Sequence, residues 1–220
     1  MFEEIEKSKK QGKTLAVLGL FVLVATVIGV AVAAYTWSFT GSKNTIGTGA
    51  ISMSLLESED AITISNALPM SDTQGKALTK AAGSSGVFDF AVTTHASGAP
   101  GNINYTISIN KVAVDQDATA LADNQVKIYL AALDGENETQ VVAPTLISSV
   151  ITTGDSGTLT FDSGKTNYLT HIHTTANTSQ TQKYRLKMWI DGAVDASSWT
   201  TSTKYQYKLK ISTSGTLSAE

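Results

Sequence analysis

The sequence predicts an all-β protein whose folded domain is a β-sandwich, preceded by one hydrophobic N-terminal helix. About seven to nine segments alternate apolar and polar residues with period two, as half-buried strands do. No amphipathic helical pattern of similar strength lies between them, which disfavours an α/β fold. The helix is predicted by a run of twenty-one uncharged residues near the N-terminus.

This apolar run covers residues 15–35 and reads LAVLGLFVLVATVIGVAVAAY. Helical residues rise about 1.5 Å each, so the run spans roughly 30 Å, the thickness of a bilayer's hydrocarbon core. We expect residues 1–14 to be a basic cytoplasmic leader and 15–37 to be the membrane helix, because lysines precede the run and aromatic residues follow it. The residues expected in contact with lipid are Leu18, Phe21, Val24, Ile28, Val32 and Trp37.

Two interpretations of this helix stay open, a retained anchor and a long signal peptide cleaved near its end. Both place the remainder of the chain outside the cytoplasmic membrane, at the cell surface or free in the medium. The protein therefore meets the membrane at least before processing.

Composition excludes several functions of the exported part. The chain has no Cys and a formal net charge of −3. Thiolate catalysis and Cys-ligated zinc are therefore excluded, and a basic surface for nucleic acid is not expected. An exported domain without disulfides depends on its core, or on assembly with its own copies.

The exported part begins with a Gly- and Ser-rich segment, 38–50, predicted to be flexible and to be a candidate donor strand; the sandwich follows over 51–220. Two helical turns are predicted within 76–82, and the sequence GENET at 135–139 predicts an exposed hairpin loop. The predicted strands cover 51–55, 61–69, 87–94, 102–112, 126–133, 145–154, 157–161, 184–192 and 205–213.

The stretch AAYTWSFTGSKNTIGTGAISMSLLES resembles the start of the TasA/camelysin family of exported Gram-positive and archaeal proteins. The matching positions are Thr36, Trp37, Phe39, Lys43, Gly47, Gly49 and the strand at 51–55. Three later segments follow the family's order of strand, Pro-containing bend, strand and strand: ITISNALPMSDTQGKAL, FDFAV and INYTISI. The resemblance covers about the first half of the exported domain.

This resemblance implies a jelly-roll-like β-sandwich exported through a dedicated signal peptidase, with cleavage near residues 37–39. It also implies assembly into extracellular fibres of the biofilm matrix, where a neighbour's N-terminal strand completes each subunit's sheet. We therefore expect the chain to bind itself as a homopolymer, together with other matrix components. Trp189 lies on the polar face of its strand, which indicates a covered surface. The residues expected at the subunit contact are Phe39, Ile46, Ile51, Met53 and Trp189.

Candidate chemistry is sparse, and we predict no enzyme and no cofactor. His171 and His173 lie two residues apart and would share one face of a strand, but two ligands do not make a metal site, so a solvated polar face is favoured. Acidic clusters at 57–60 and 134–138 lack a calcium-loop pattern and are predicted to be solvated loops. Asn137 and Asn177 begin glycosylation sequons in predicted loops.

Three functions remain after these exclusions. The first is a structural subunit of an extracellular filament that assembles by donor-strand exchange. The second is a monomeric, membrane-anchored binding or adhesion domain that faces the outside. The third, an extracellular hydrolase, has little support, because neither HExxH nor GxSxG occurs.

Overall fold

A computed structural model of the chain describes residues 36–40, 44–48, 51–57, 61–80, 86–97, 100–200 and 202–218. The chain divides into two compact units, 1–36 and 37–220, and apart from Thr36 the described residues belong to the second. The predicted membrane helix before Thr36 lies outside the described residues. Among those residues, no helix combines the length and the apolar character needed to cross a bilayer.

The described chain forms thirteen strands and two short helices. Two single 3₁₀ turns, Asp123–Gln125 and Thr166–Leu169, join strands. In chain order the elements are β1 Thr36–Thr40, β2 Asn44–Thr48, β3 Ile51–Glu57, β4 Ile62–Ser65, α1 Asp72–Lys76, β5 Val87–Ala96, β6 Gly101–Lys111, β7 Ala118–Ala120, β8 Val126–Asp134, β9 Asn137–Leu146, α2 Ile147–Val150, β10 Ser156–Thr158, β11 Thr170–His173, β12 Thr178–Ile190 and β13 Lys204–Ser218.

These strands form a jelly roll, which confirms the predicted fold class. One sheet has the core order β4, β13, β6 and then β10 or β11, and the other has the order β5, β12, β8, β9. The chain passes between the sheets after β4, β5 and β7, stays in the second sheet through the β8–β9 hairpin, and passes again after β9 and before and after β12. This is the strand order of two interlocked Greek keys. Strands β1 and β7 also pair with β13, while β3 and β2 extend the second sheet beyond β5.

The core lies between the two sheets and is built from the apolar residues that alternate along the predicted strands. In β6 the residues that alternate inward are all buried, as are those of β5 and β12, because period-two alternation places every second side chain on one face. The core residues of these three strands are Phe88, Phe90, Val92, Ile103, Tyr105, Ile107, Ile109, Tyr184, Leu186, Met188 and Ile190. Gly215 lets β13 approach β3 closely, since a Cβ there would lie 3.2 Å from the Met53 sulfur.

Three predicted elements differ from the structure. Residues 147–150 form helix α2 rather than a strand, because Ile147 and Ile151 are buried at a spacing of four, which is one helical turn. The predicted loop at 135–139 is a tight turn at 135–136, where Gly135 has a φ of 60°, and β9 begins at Asn137. The short helix lies at Asp72–Lys76 rather than at 76–82 because Ser71 and Gln74 form a capping box at its N-terminus.

Candidate functional site

The N-terminal strands close one side of the sandwich and make its candidate assembly edge. On one side β13 pairs with β6 over 209–218, and on its other side β4 covers only 206–209. Because β1 and β6 flank β13 on opposite sides, β1 lies along the part of β13 that β4 does not reach. The predicted flexible segment 38–50 thus contains most of β1 and all of β2.

The part of β13 that β1 borders is integral to the core. Ile211 and Thr213 are 0% and 1% exposed, and Gly215 is buried against Met53. Without a strand at this position, the outer backbone groups of β13 after Leu209 would lose their described partner, and a sheet edge would open beside the core. The outer edge of β13 can therefore bind an extended strand through main-chain hydrogen bonds.

The second sheet is closed on the same side by β2. Residues 44–48 of β2 pair with 51–55 of β3, and β3 in turn pairs with β5. Consecutive strands β1 and β2 therefore belong to opposite sheets, and residues 41–43 connect them.

The structure corrects two predicted subunit contacts. The side chain of Met53 is 0% exposed and packs in the core, so it offers nothing to a second subunit. Trp189 is also 0% exposed, although it lies on the outer face of its sheet as predicted. The side chains of Phe39, Ile46 and Ile51 are outside the described set, and their contacts stay predictions.

Trp189 is covered by its own chain. Helix α1 crosses the indole, and a Cβ added at Gly75 would lie 2.3 Å from the ring, so only glycine permits this approach. Lys187 holds the C-terminal end of this helix, because its Nζ donates to the Lys76 carbonyl at 2.6 Å and lies 2.8 Å from Glu138 Oε2. The sequence indicated that the surface around Trp189 is covered, and in the structure helix α1 of the same chain covers it.

His171 and His173 share one face, as predicted, but the face is buried rather than solvated. The two residues are 6% and 1% exposed and point from β11 into the sandwich. Thr94 Oγ1 of β5 lies 2.7 Å from His171 Nδ1 and 2.8 Å from His173 Nε2. This single hydroxyl links both histidines to the opposite sheet. Sequence reasoning missed it because β5 and β11 are about eighty residues apart in the chain, as the separation of 77 between Thr94 and His171 shows.

Burial dominates the electrostatics of this cluster. Desolvation, together with the neighbouring His173, lowers the pKa of His171 to about 4. Desolvation and His95 also lower the pKa of His173. Next to His171, the hydroxyls of Tyr105 and Tyr184 lie 2.8 Å apart, and both donate to the Tyr168 carbonyl.

No described group of three or more His, Asp or Glu residues is arranged to hold a metal ion. In the acidic cluster at 134–138, Glu138 is an ion-pair partner of Arg185 and Lys187, while Glu136 is exposed. Asn137 and Asn177 are both exposed, so the sequons remain available to a glycosyltransferase and their use stays a prediction. The absence of enzymatic activity likewise stays a prediction.

One cleft escaped the sequence reasoning. It has a volume of about 280 Å³ and lies between the residues after β4 and the loop before β13. Trp199 and Tyr205 stack there with ring centroids 4.4 Å apart, and Leu68 beside them is 74% exposed. A lone Trp in the polar loop DASSWTTST was the available signal.

The fold and its N-terminal edge define the class, an all-β jelly-roll protein. No protein-family model matches the chain, and no curated protein matches it. Among solved structures the chain is similar to TmCBM61, whose structure was determined in complex with β-1,4-galactotriose. The two are 10% identical with a TM-score of 0.26, over 76% of this chain and 88% of that one. A TM-score this low relates the two proteins too loosely to say anything about a ligand here.

Proposed function

We propose that this protein is an exported structural subunit that polymerises into a surface or biofilm-matrix filament by donor-strand exchange. The observation that carries the proposal is the place of β1, the first described strand, at the border of β13 beyond Leu209. A strand at this border can be supplied by the same chain or by a neighbouring copy, because main-chain pairing is the same in both cases.

The energetics favour exchange once the subunits are concentrated. Moving β1 to a neighbour replaces one set of backbone hydrogen bonds by an equal set, so the net cost is the loss of translational freedom. At the cell surface, a high local concentration offsets that cost by mass action. An unfilled border would expose a core that contains Ile211, which opposes a subunit with no donor.

The leader and the family resemblance support the cellular setting. The apolar run at 15–35 would deliver the domain across the membrane, and cleavage at the Ala-rich end of that run, before Thr36, would free β1 as an N-terminal arm. Under this proposal, the partners are other copies of the chain and further matrix components.

The test compares three forms of the exported domain by size-exclusion chromatography and negative-stain microscopy. The domain that begins at Thr36 should form filaments as its concentration rises. The domain that begins at Asn44 lacks β1 and should stay monomeric, and a synthetic peptide of residues 36–43 should bind it one to one. The peptide with a proline in place of Phe39 is the matched control, since it loses a main-chain donor. Filaments from the shortened domain, or none from the longer one, would refute the proposal.

The cleft at Trp199 favours a second candidate, a membrane-anchored extracellular binding domain. Its lining is uncharged and combines two aromatic rings with hydroxyl and amide groups, which suits a neutral ligand. A mature chain that keeps residues 1–35 and forms no filaments would favour this candidate. Mass spectrometry of the N-terminus, with images of the cell surface, separates the two.

A further inference from the structure

Strand β11 is held in the sandwich by polar groups. It has four residues and pairs with β6 over 101–104. Its two inward side chains are His171 and His173, whereas its apolar residue, Ile172, points outward and is 52% exposed. The usual attraction of a buried aliphatic side chain is therefore missing from β11.

The protons of this cluster can be assigned from its hydrogen bonds. Thr178 Oγ1 donates its proton to the Thr175 carbonyl at 2.8 Å, so it must accept from His173 Nδ1 at 3.0 Å. A neutral His173 then has an unprotonated Nε2, which accepts the proton of Thr94. Thr94 Oγ1 in turn accepts from His171 Nδ1. Each of these hydrogen-bonding protons has an acceptor when both histidines are neutral. This is no longer so when either histidine is protonated.

We propose that the hydrogen bonds among Thr94, His171 and His173, here called the clasp, hold β11 against β6 at neutral pH. In acid these hydrogen bonds break and β11 separates from β6. A proton added to His173 Nε2 would point at Thr94, whose own hydroxyl proton would then have no acceptor. A proton added to His171 Nε2 would face the Tyr105 hydroxyl at 3.5 Å, beyond a good hydrogen bond. Release would expose the edge of β6 at 101–104 to solvent or to another strand.

The surroundings offer little compensation for two positive charges, since among the described groups only the Thr178 backbone favours the charged form of His173. No described contact of either ring is with a carboxylate. The groups that face the pair are the Thr94 hydroxyl of β5, the Tyr105 hydroxyl of β6, the Thr178 and Tyr184 hydroxyls of β12, the carbonyl of Tyr168 and, from the outer face of β5, the imidazole of His95. The Gln180 amide also donates to the Ile172 carbonyl, and this bond does not titrate.

The size of the effect follows from linkage. The pKa of His171 is about 4 when buried and 6.5 in the open chain, so the open form takes up protons first as the pH falls. For this histidine alone, the opening equilibrium constant rises by about 100-fold between pH 7 and pH 4. His173 shifts in the same direction and adds to it.

Hydrogen exchange on the full chain in detergent micelles tests the clasp at pH 7, 5 and 4, with rates corrected for intrinsic exchange. Within 170–173 and 101–104, the amides that join β11 to β6 should lose at least about 100-fold of their protection at pH 4, while those that join β6 to β13 and the amides of 184–190 stay protected. In the double variant His171→Asn/His173→Gln, which cannot titrate, the loss should shrink to a few-fold. His95→Gln is the matched control: it removes a third histidine that acts on His173 only through its charge, so most of the loss at pH 4 should remain.

In Thr94→Val, the amides that join β11 to β6 should already lose protection at pH 7. If this variant fails to fold, the double variant still tests the proposal. The proposal is overturned by equal loss in 184–190, which means global unfolding. It is also overturned by unchanged protection at pH 4, or by full loss in the double variant. None of these readings depends on filament formation, so the clasp and the proposed function fail separately.

Discussion

Substituting Gly75 by Ala tests whether the close packing of α1 on Trp189 stabilises the outer face of the sheet. Helix propensity alone predicts that this change stabilises the protein by about 1 kcal/mol. The structure predicts the opposite, because the new Cβ would lie 2.3 Å from Cδ2 and Cε2 of the indole and 2.7 Å from Cε3.

The contact distances decide whether Gly75→Ala raises or lowers the free energy of unfolding. Cβ contacts below 3.0 Å essentially do not occur, and neither the fully buried ring nor the helix backbone is a flexible end that can move aside. Helix α1 must lift, which strains the bond from Lys187 to the Lys76 carbonyl and the pair of Lys127 with Asp72. Overpacking of this kind costs about 1–3 kcal/mol. After the propensity gain we expect a net loss of up to about 2 kcal/mol.

Urea unfolding monitored by near-ultraviolet circular dichroism measures the change. Thr73→Ala is the matched control, since Thr73 is exposed in the same helix and should gain a few tenths of a kcal/mol, about what propensity allows. In a double-mutant cycle, Trp189→Leu should remove the clash, so the coupling energy should be favourable by about 1 kcal/mol or more. If Gly75→Ala is as stabilising as the control, the packing argument is wrong.

Two further predictions concern buried polar groups. Lys187→Met removes the cation shared by Glu138 and the Lys76 carbonyl; because Glu138 keeps its pair with Arg185, the free energy of unfolding should fall by about 1–3 kcal/mol in urea titrations. Lys183→Met, at an exposed position of the same strand, should change it by less than about 0.5 kcal/mol. Burial raises the pKa of Tyr105 and of Tyr184 above the usual range, so the folded state keeps protons that unfolded tyrosines lose near pH 10. Stability should therefore fall as pH rises through 10, and the tyrosinate absorbance of these two residues should appear only with unfolding; its appearance in the native protein would contradict the structure.

Much of the fold was predictable because period-two alternation of apolar and polar residues indicates which face of a strand is buried. The large apolar residues on the inward faces of β5, β6 and β12 were identified this way, from Phe88 to Ile190, whereas the inward Thr94 of β5 was not. Helix α2 was missed because its single turn is too short to show a helical period in a run of Ile, Ser and Val. Strand β9 was missed because a bulge opposite Ile128 and Leu130 interrupts its alternation.

The candidate site was only partly predictable. A strand-forming N-terminal arm was expected from 38–50, and the structure adds that it borders β13, which lies about 170 residues later in the chain. Trp189 was correctly placed on the outer face, yet its exposure depended on a segment more than a hundred residues earlier. No local pattern reports such contacts.

By itself, the sequence determined the class of fold, the apolar run at 15–35, the absence of thiol chemistry and the face on which each long strand is buried. These are properties of composition and of local period, which a chain carries before it folds. Only the tertiary structure decided that Gly75 closes over Trp189, that one threonine hydroxyl serves two histidines, and that β1 borders β13. Each of these depends on residues brought together across the sandwich, where distance in space is unrelated to distance along the chain.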